Sequence, residues 1–358
     1  MSGAASPNEA EFTGTRPVEA RHRIDEKNLD LWLINNVEGY RGPLTVSQFK
    51  GGQSNPTYRL DTPARSYVLR RKPFGKLLPS AHAVDREFRV ISALYRAGFP
   101  VAKPYVLCTD ESVIGAMFYV MAHVDGRVMW SGALPNASPA ERGVIYRTQI
   151  ETLARLHQYD PEKIGLGDYG RPGNYFARQV DRWSKQYRAS QTHDIPEMNR
   201  LIEWLPQTVP VQERISVVHG DYRLDNLIFD PRETKIVAVL DWELSTLGDP
   251  LADFTYFLMN WSMAPEGRSG IAGLDLAALG IPSVAEASAL YCRLTGRAGL
   301  PNLDWYLAYN LFRMSAILQG IAGRIRDGTA ASTHAEASAA RVVPLVKAAL
   351  DYARKAGA

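Results

Sequence analysis

Residues 217–230 read VVHGDYRLDNLIFD, and residues 235–243 read KIVAVLDWE. Short apolar runs at 215–218, 227–229 and 235–240 flank both acidic sites, and runs of this composition predict strands. Asn226 follows Asp221 by five residues, and Asp241 closes the last run fifteen residues later. These residue types suit phosphoryl transfer. That reaction gathers negative charge on the oxygens of the transferred group. Hard oxygen ligands hold Mg²⁺ against that charge, and a carboxylate near the incoming hydroxyl orients it. His-Gly-Asp alone is a common turn. The reading rests on the joint pattern of strand, HGD, four residues, Asn, two strands and Asp. His219 is expected to brace this loop, not to carry a proton.

The spacing is that of a kinase catalytic loop followed by a metal-binding Asp. HGDYRLDN (219–226) together with LDWELSTLGDPLADF (240–254) resembles the aminoglycoside phosphotransferase and choline-kinase-like family, over about residues 45–330. Within it the chain is most similar to the kinase-like domains fused to acyl-CoA dehydrogenases, and YVLRRKPFGKLLPSAHAVDREFRV (67–90) resembles that subgroup too. The resemblance implies an α+β, two-lobed, protein-kinase-like fold, with a small β-rich N-terminal lobe and a larger, mostly helical C-terminal lobe. It implies ATP and Mg²⁺ as cofactors, ATP in the cleft, Asp221 as catalytic base, and Asn226 and Asp241 as Mg²⁺ ligands. Glu243 matches a frequent second acid of the family and is a third candidate ligand; a surface salt bridge is the alternative.

The N-terminal part departs from the protein-kinase signature. Residues 51–55 read GGQSN, with no G-x-G-x-x-G. Glycines let a backbone approach phosphates closely, so Gly51, Gly52, Gln53, Ser54 and Asn55 are nucleotide-binding candidates. Arg70 stands where the resemblance places a lysine, and an arginine can hold phosphates bidentately. Lys72 shares its strand face if the strand continues. Glu87, on the following helix, is the ion-pair partner that the resemblance implies, with an exposed helix carboxylate as the alternative. The resemblance puts the adenine-facing hinge at 121–124, which makes Met121 and His123 candidates.

Residues 1–23 mix small and charged residues without periodicity and read as a mobile tail. Residues 24–122 then form the ATP-binding lobe, and 123–358 the helical catalytic and substrate lobe. Val84, Phe88, Ile91 and Tyr95 mark one helical face. Ser138-Pro139-Ala140-Glu141 opens another helix, and Phe176, Val180, Trp183 and Tyr187 line a third. Asp249-Pro250 starts a helix, with Asp249 and Asp253 as cap and loop-stabilising candidates. Long helices are expected over 283–326 and 332–354. Residues 165–170 satisfy G-x-G-x-x-G, but no strand precedes them and Pro172-Gly173 follows, so a dinucleotide site is not expected there.

The chain of 358 residues is 46% hydrophobic and 22% charged with a net charge of +3, which argues against nucleic-acid binding as its role. No apolar stretch of membrane-spanning length and no apolar signal-peptide core is evident. Cys108 and Cys292 make neither a disulfide framework nor a zinc site, so a cytoplasmic setting is the default. The reading is an ATP- and Mg²⁺-dependent phosphotransferase acting on a small-molecule hydroxyl; the oligomeric state is open. A nucleotide-binding pseudokinase or regulatory module is the alternative, kept alive by Arg70, and an aminoglycoside kinase or protein kinase ranks below. A hydrolase using His219 and the aspartates would want histidine ligands that the spacing does not supply. From Trp261 onward there are ten Lys and Arg against seven Asp and Glu, with Arg293, Arg297, Arg313, Arg324 and Arg326 in or near the long helical segment. That balance favours a neutral or anionic acceptor, and the resemblance implies a hydroxy acid or hydroxyacyl-CoA.

Overall fold

The structure, a computed structural model, describes residues 13–50, 55–74, 83–265, 269–329 and 335–358. The chain forms two compact units. The first comprises Met1–Trp130, Glu162–Leu166 and Asp225–Ser245; the second comprises Ser131–Pro161, Gly167–Leu224 and Thr246–Ala358. The hairpin bearing Asn226 and Asp241 therefore belongs with the N-terminal sheet.

The first unit is built on a six-stranded antiparallel sheet. Its order is Thr15–Arg16, Thr45–Phe49, Thr57–Asp61, Ser66–Arg71, Phe118–Ala122 and Pro104–Cys108. Period-2 alternation divides its residues between two faces. Tyr58, Leu60, Tyr67, Leu69, Phe118 and Val120 bury one face against Leu29 and Leu33 of the helix Glu26–Asn36. Asp25 caps that helix by accepting from the Asn28 N–H. Val68 and Arg70 lie on the other face, with Met121 and Tyr119 directly across from them. The helix Val84–Arg96 packs there, and Phe88 stacks at a tilt on Tyr119.

Two expectations need correction here. The tail read through residue 23 is ordered from Thr13: Thr15 and Arg16 pair with Phe49 and Gln48, and the Tyr58 hydroxyl donates to the His22 carbonyl. Strand pairing over two residues leaves no periodicity for a sequence to show. On the helix Val84–Arg96, Val84, Glu87, Ile91 and Leu94 are buried, whereas Tyr95 is 42% exposed. The buried stripe runs through Leu94, and Tyr95 sits off its edge.

A three-stranded sheet, Ile236–Val239, Leu227–Phe229 and Arg127–Val128, completes this unit. It is tied in by the Val239 N–H donating to the Pro100 carbonyl and by Phe99 edge-on to Trp242.

The second unit is mostly helical. Its long helix Leu303–Arg326 packs on Tyr175–Ser190, Leu251–Leu258 and Val342–Lys355. Phe176 meets Trp305 and Tyr309 edge-on, so these aromatics are core. Ser138 caps Pro139–Leu156, accepting from the Glu141 N–H. The helical stretch expected over 283–326 comprises two helices. Val284–Thr295 stops at Gly296 with φ +62°, and Leu303–Arg326 restarts at Asn302. Pro301 cannot supply the N–H that a continuous helix needs. The C-terminal expectation likewise divides into Ala335–Ala340 and Val342–Lys355. Ser216–Val218 pairs with Thr246–Gly248. Among the described residues no helix is long and apolar enough to cross a membrane.

Candidate active site

In the first unit the candidates converge on Arg70. The sheet points Arg70 toward the helix Val84–Arg96, where its Nε lies 3.0 Å from Glu87 Oε2. Its Nη2 donates to Asp241 Oδ1 at 2.8 Å and to Glu243 Oε2 at 3.0 Å. Asn55 Nδ2, itself buried, reaches Glu243 Oε2 at 3.4 Å. One cation thus gathers three carboxylates. Burial works against the Arg70 charge, but Glu87, Tyr119, Asp241 and Glu243 outweigh it and hold the guanidinium protonated. Burial pushes the Glu87 carboxyl up, with Asp241 and Glu243 adding to this and Arg70 pulling back.

Asp241 is held at the end of its strand with φ 64° and ψ 61°, a left-handed conformation that few non-glycine residues adopt. Such conformations cost free energy and cluster at functional positions. The Leu240 N–H donates to the Asn226 carbonyl at 2.8 Å, which joins the two metal-ligand candidates through one backbone bond. Asn226 is buried, whereas Asp241 and Glu243 remain partly exposed.

The other candidates of this unit stand apart from Arg70's contacts. The ordered strand ends at Arg71, yet the Lys72 N–H still pairs with the Met117 carbonyl and Lys72 Nζ lies 3.9 Å from Asp85. Met121 faces Val68 in the sheet. His123 stacks parallel to Phe49 and sits 3.3 Å from Asp125; burial lowers its pKa, helped by Arg59. Gly51, Gly52, Gln53 and Ser54 lie outside the described residues.

In the second unit, hydrogen bonds hold the loop of Asp221. The buried Asp253 carboxylate accepts from the N–H groups of His219, at 2.6 Å, and Gly220, at 2.8 Å. His157 Nε2 lies 3.4 Å from the same carboxylate, and its Nδ1 is 2.8 Å from the Tyr291 hydroxyl. Burial works against the Asp253 charge, but these partners outweigh it and lower the pKa. Gly220 has φ +87°, a region where a side chain would be strained, so the middle position of HGD calls for glycine. His219 Nδ1 accepts from the Asp221 N–H, so it braces the loop.

Sequence reasoning missed two residues here. The Tyr256 hydroxyl donates to Asp221 Oδ1 at 2.8 Å. Arg313, only 5% exposed, donates to the Gly220 carbonyl and lies over the rings of Tyr256 and Trp183. The charge balance of the segment from Trp261 onward counts it with the other arginines. Its signal was available: between Asp304 and Arg324 it is the only charged residue in an apolar helix. A lone cation in such a setting is a buried one.

The model of the phosphotransferase enzyme family matches residues 45–287, and the chain belongs to that family. Over 96% of its length it is 44% identical to mouse acyl-CoA dehydrogenase family member 10. It is 42% identical, again over 96% of its length, to chicken acyl-CoA dehydrogenase family member 11. It spans only 32% and 45% of those two proteins. A crystal structure from Ralstonia eutropha, provisionally named an aminoglycoside phosphotransferase, is 51% identical with a TM-score of 0.86, covering 93% of this chain and 99% of that one. A thermostable mutant of the aminoglycoside phosphotransferase APH(4)-Ia, in complex with AMP-PNP and hygromycin B, shares the fold. It is 16% identical with a TM-score of 0.58, covering 93% of this chain and 100% of that one. The fold is therefore α+β and kinase-like, and the family to which the chain belongs is one of phosphotransferases.

Proposed function

We propose that the chain moves the γ-phosphoryl group of ATP to the hydroxyl of a hydroxy acid or a hydroxyacyl-CoA. The observation that carries this is Arg70: a strand cation joined at once to the helix carboxylate Glu87 and to Asp241 after the hairpin. It supports an intact nucleotide site with arginine in place of lysine, and so speaks against the pseudokinase alternative. Arg70 and Lys72 would contact phosphates, while Asn55 and the glycine turn before it would cover them. Met121 and His123 would border adenine.

The donor set fits Mg²⁺. Asn226, Asp241 and Glu243 offer hard oxygens. Mg²⁺ is commonly bound by one or two carboxylates together with substrate phosphates. Such an ion would neutralise charge developing on the transferred group. Asp221 would orient the acceptor hydroxyl and receive its proton.

The acceptor class rests on the acyl-CoA dehydrogenase relatives and on the +3 balance of the segment from Trp261 onward. Arg313 no longer contributes to a surface field, because it is buried under the Asp221 loop. The test offers ATP and Mg²⁺ with a panel of hydroxyacyl-CoAs and hydroxy acids and, in parallel, aminoglycosides. Phosphorylation of a hydroxyacyl compound is expected, with turnover about 10²–10⁴-fold lower in Asp221→Asn. Turnover of aminoglycosides alone would defeat the acceptor assignment, and undiminished turnover in Asp221→Asn would defeat the role of Asp221.

A further inference from the structure

The helix Leu251–Leu258 presents two residues one turn apart to the loop that carries Asp221. Asp253 takes the backbone N–H groups of His219 and Gly220. Tyr256 takes the Asp221 side chain itself, through its hydroxyl on Oδ1. The phenol has little freedom to do otherwise. It is 4% exposed, and its ring packs under the Arg313 guanidinium, whose carbon lies 4.9 Å from the ring centre.

Arg313 is fixed in turn. Its Nη2 donates to the Gly220 carbonyl at 2.5 Å, its guanidinium also lies over the Trp183 ring, and its Nε is buried without a hydrogen-bond partner among the described residues. The helix is anchored behind Tyr256 by Thr255, which is fully buried and accepts from Asn310 Nδ2 at 2.8 Å. Around Asp221 the charged and titratable neighbours include Tyr256, Arg223 with Nε at 3.2 Å, His219 and Arg313. Burial and the adjacent Asp221 carboxylate hold the Tyr256 phenol protonated, so it serves as a donor.

We propose that Tyr256 is a positioning residue for phosphoryl transfer: its hydroxyl fixes the rotation of the Asp221 carboxylate and so the direction in which that carboxylate meets the acceptor hydroxyl. The proposal rests on the role of Asp221 given above. Nothing in it requires Tyr256 to touch substrate. The reactive geometry is a matter of ångströms, and loss of a side chain that holds it costs turnover without a matching loss in nucleotide binding.

Tyr256→Phe keeps the ring under Arg313 and removes only the donor. With ATP, Mg²⁺ and the hydroxyacyl-CoA panel, kcat is expected to fall about tenfold, as for a lost hydrogen bond to a charged group. KM for ATP and the melting temperature should stay near the parent values. Tyrosine labelled with ¹³C at Cζ gives a readout that needs no acceptor. The Tyr256 signal, assigned by its loss in Tyr256→Phe, is expected to move in Asp221→Asn, and that second variant keeps the test open should Tyr256→Phe fail to fold. An unmoved signal, or parent-like kcat in Tyr256→Phe on a compound whose turnover Asp221→Asn abolishes, would overturn the proposal. Parent-like turnover in Asp221→Asn with a moved signal would instead overturn the reading of Asp221 and leave the contact standing.

Discussion

The acids around Arg70 and the acid in the HGD loop are held by different physics. In the first unit a single buried guanidinium bridges Glu87, Asp241 and Glu243, so charge meets charge. In the second unit Asp221 meets a phenol beside the Arg223 guanidinium, and its loop is placed by backbone N–H groups on Asp253 and by the Arg313 bond to a carbonyl. An ion-paired cluster can exchange one charged partner for another, which suits residues that meet phosphates and a cation. A hydrogen-bonded scaffold fixes direction, which suits a carboxylate that must face a hydroxyl. The two arrangements should therefore fail differently.

The largest expected failure is at Arg70. Arg70→Ala strands Glu87, a carboxylate only 2% exposed, without its counter-charge. Breaking a buried pair in this way costs about 3–5 kcal/mol. Lys72→Ala removes a partly exposed contact at 3.9 Å and should cost under about 1 kcal/mol. ATP affinity should follow the same order. Chemical denaturation and calorimetry of both variants check this, and equal losses would shift the phosphate contact to Lys72.

A smaller effect sharpens the other side of the comparison. Asp249 accepts from the Leu251 N–H at the start of the helix that carries Asp253 and Tyr256. Burial pushes its carboxyl up to about 6, partly offset by that N–H and by Arg297. The folded chain thus binds a proton more tightly than the unfolded one, so this stabilisation is present below the unfolded pKa and is lost as pH rises through about 6. Asp249→Asn keeps an oxygen acceptor and sheds the buried charge. Relative to the parent it should gain about 1–3 kcal/mol between pH 4.5 and pH 8. Melting curves across that range read it, and a constant difference would place the charge in a better solvated setting.

The contrast also governs what the sequence discloses. Strands 227–229 and 235–240 and the spacing of Asp221, Asn226 and Asp241 are local patterns, so they are legible. Glu87 is legible only through the family resemblance, because the helical face Val84, Phe88, Ile91 and Tyr95 does not include it. Tyr256 and Arg313 were not, because aromatic and cationic side chains in apolar helices read first as core or as charge balance; only the packing of three helices shows what they touch. The pairing of Ser216–Val218 with Thr246–Gly248 was hidden for a related reason: three-residue strands far apart in sequence carry no period.

Asp241, joined to Arg70, would belong to the nucleotide and Mg²⁺ site proposed above. Calorimetric titration of ATP into the parent chain and into Asp241→Ala, each with and without Mg²⁺, decides this. Mg²⁺ should tighten ATP binding to the parent and leave the affinity of the variant unchanged; a Mg²⁺ effect of equal size in both would remove Asp241 from the metal site.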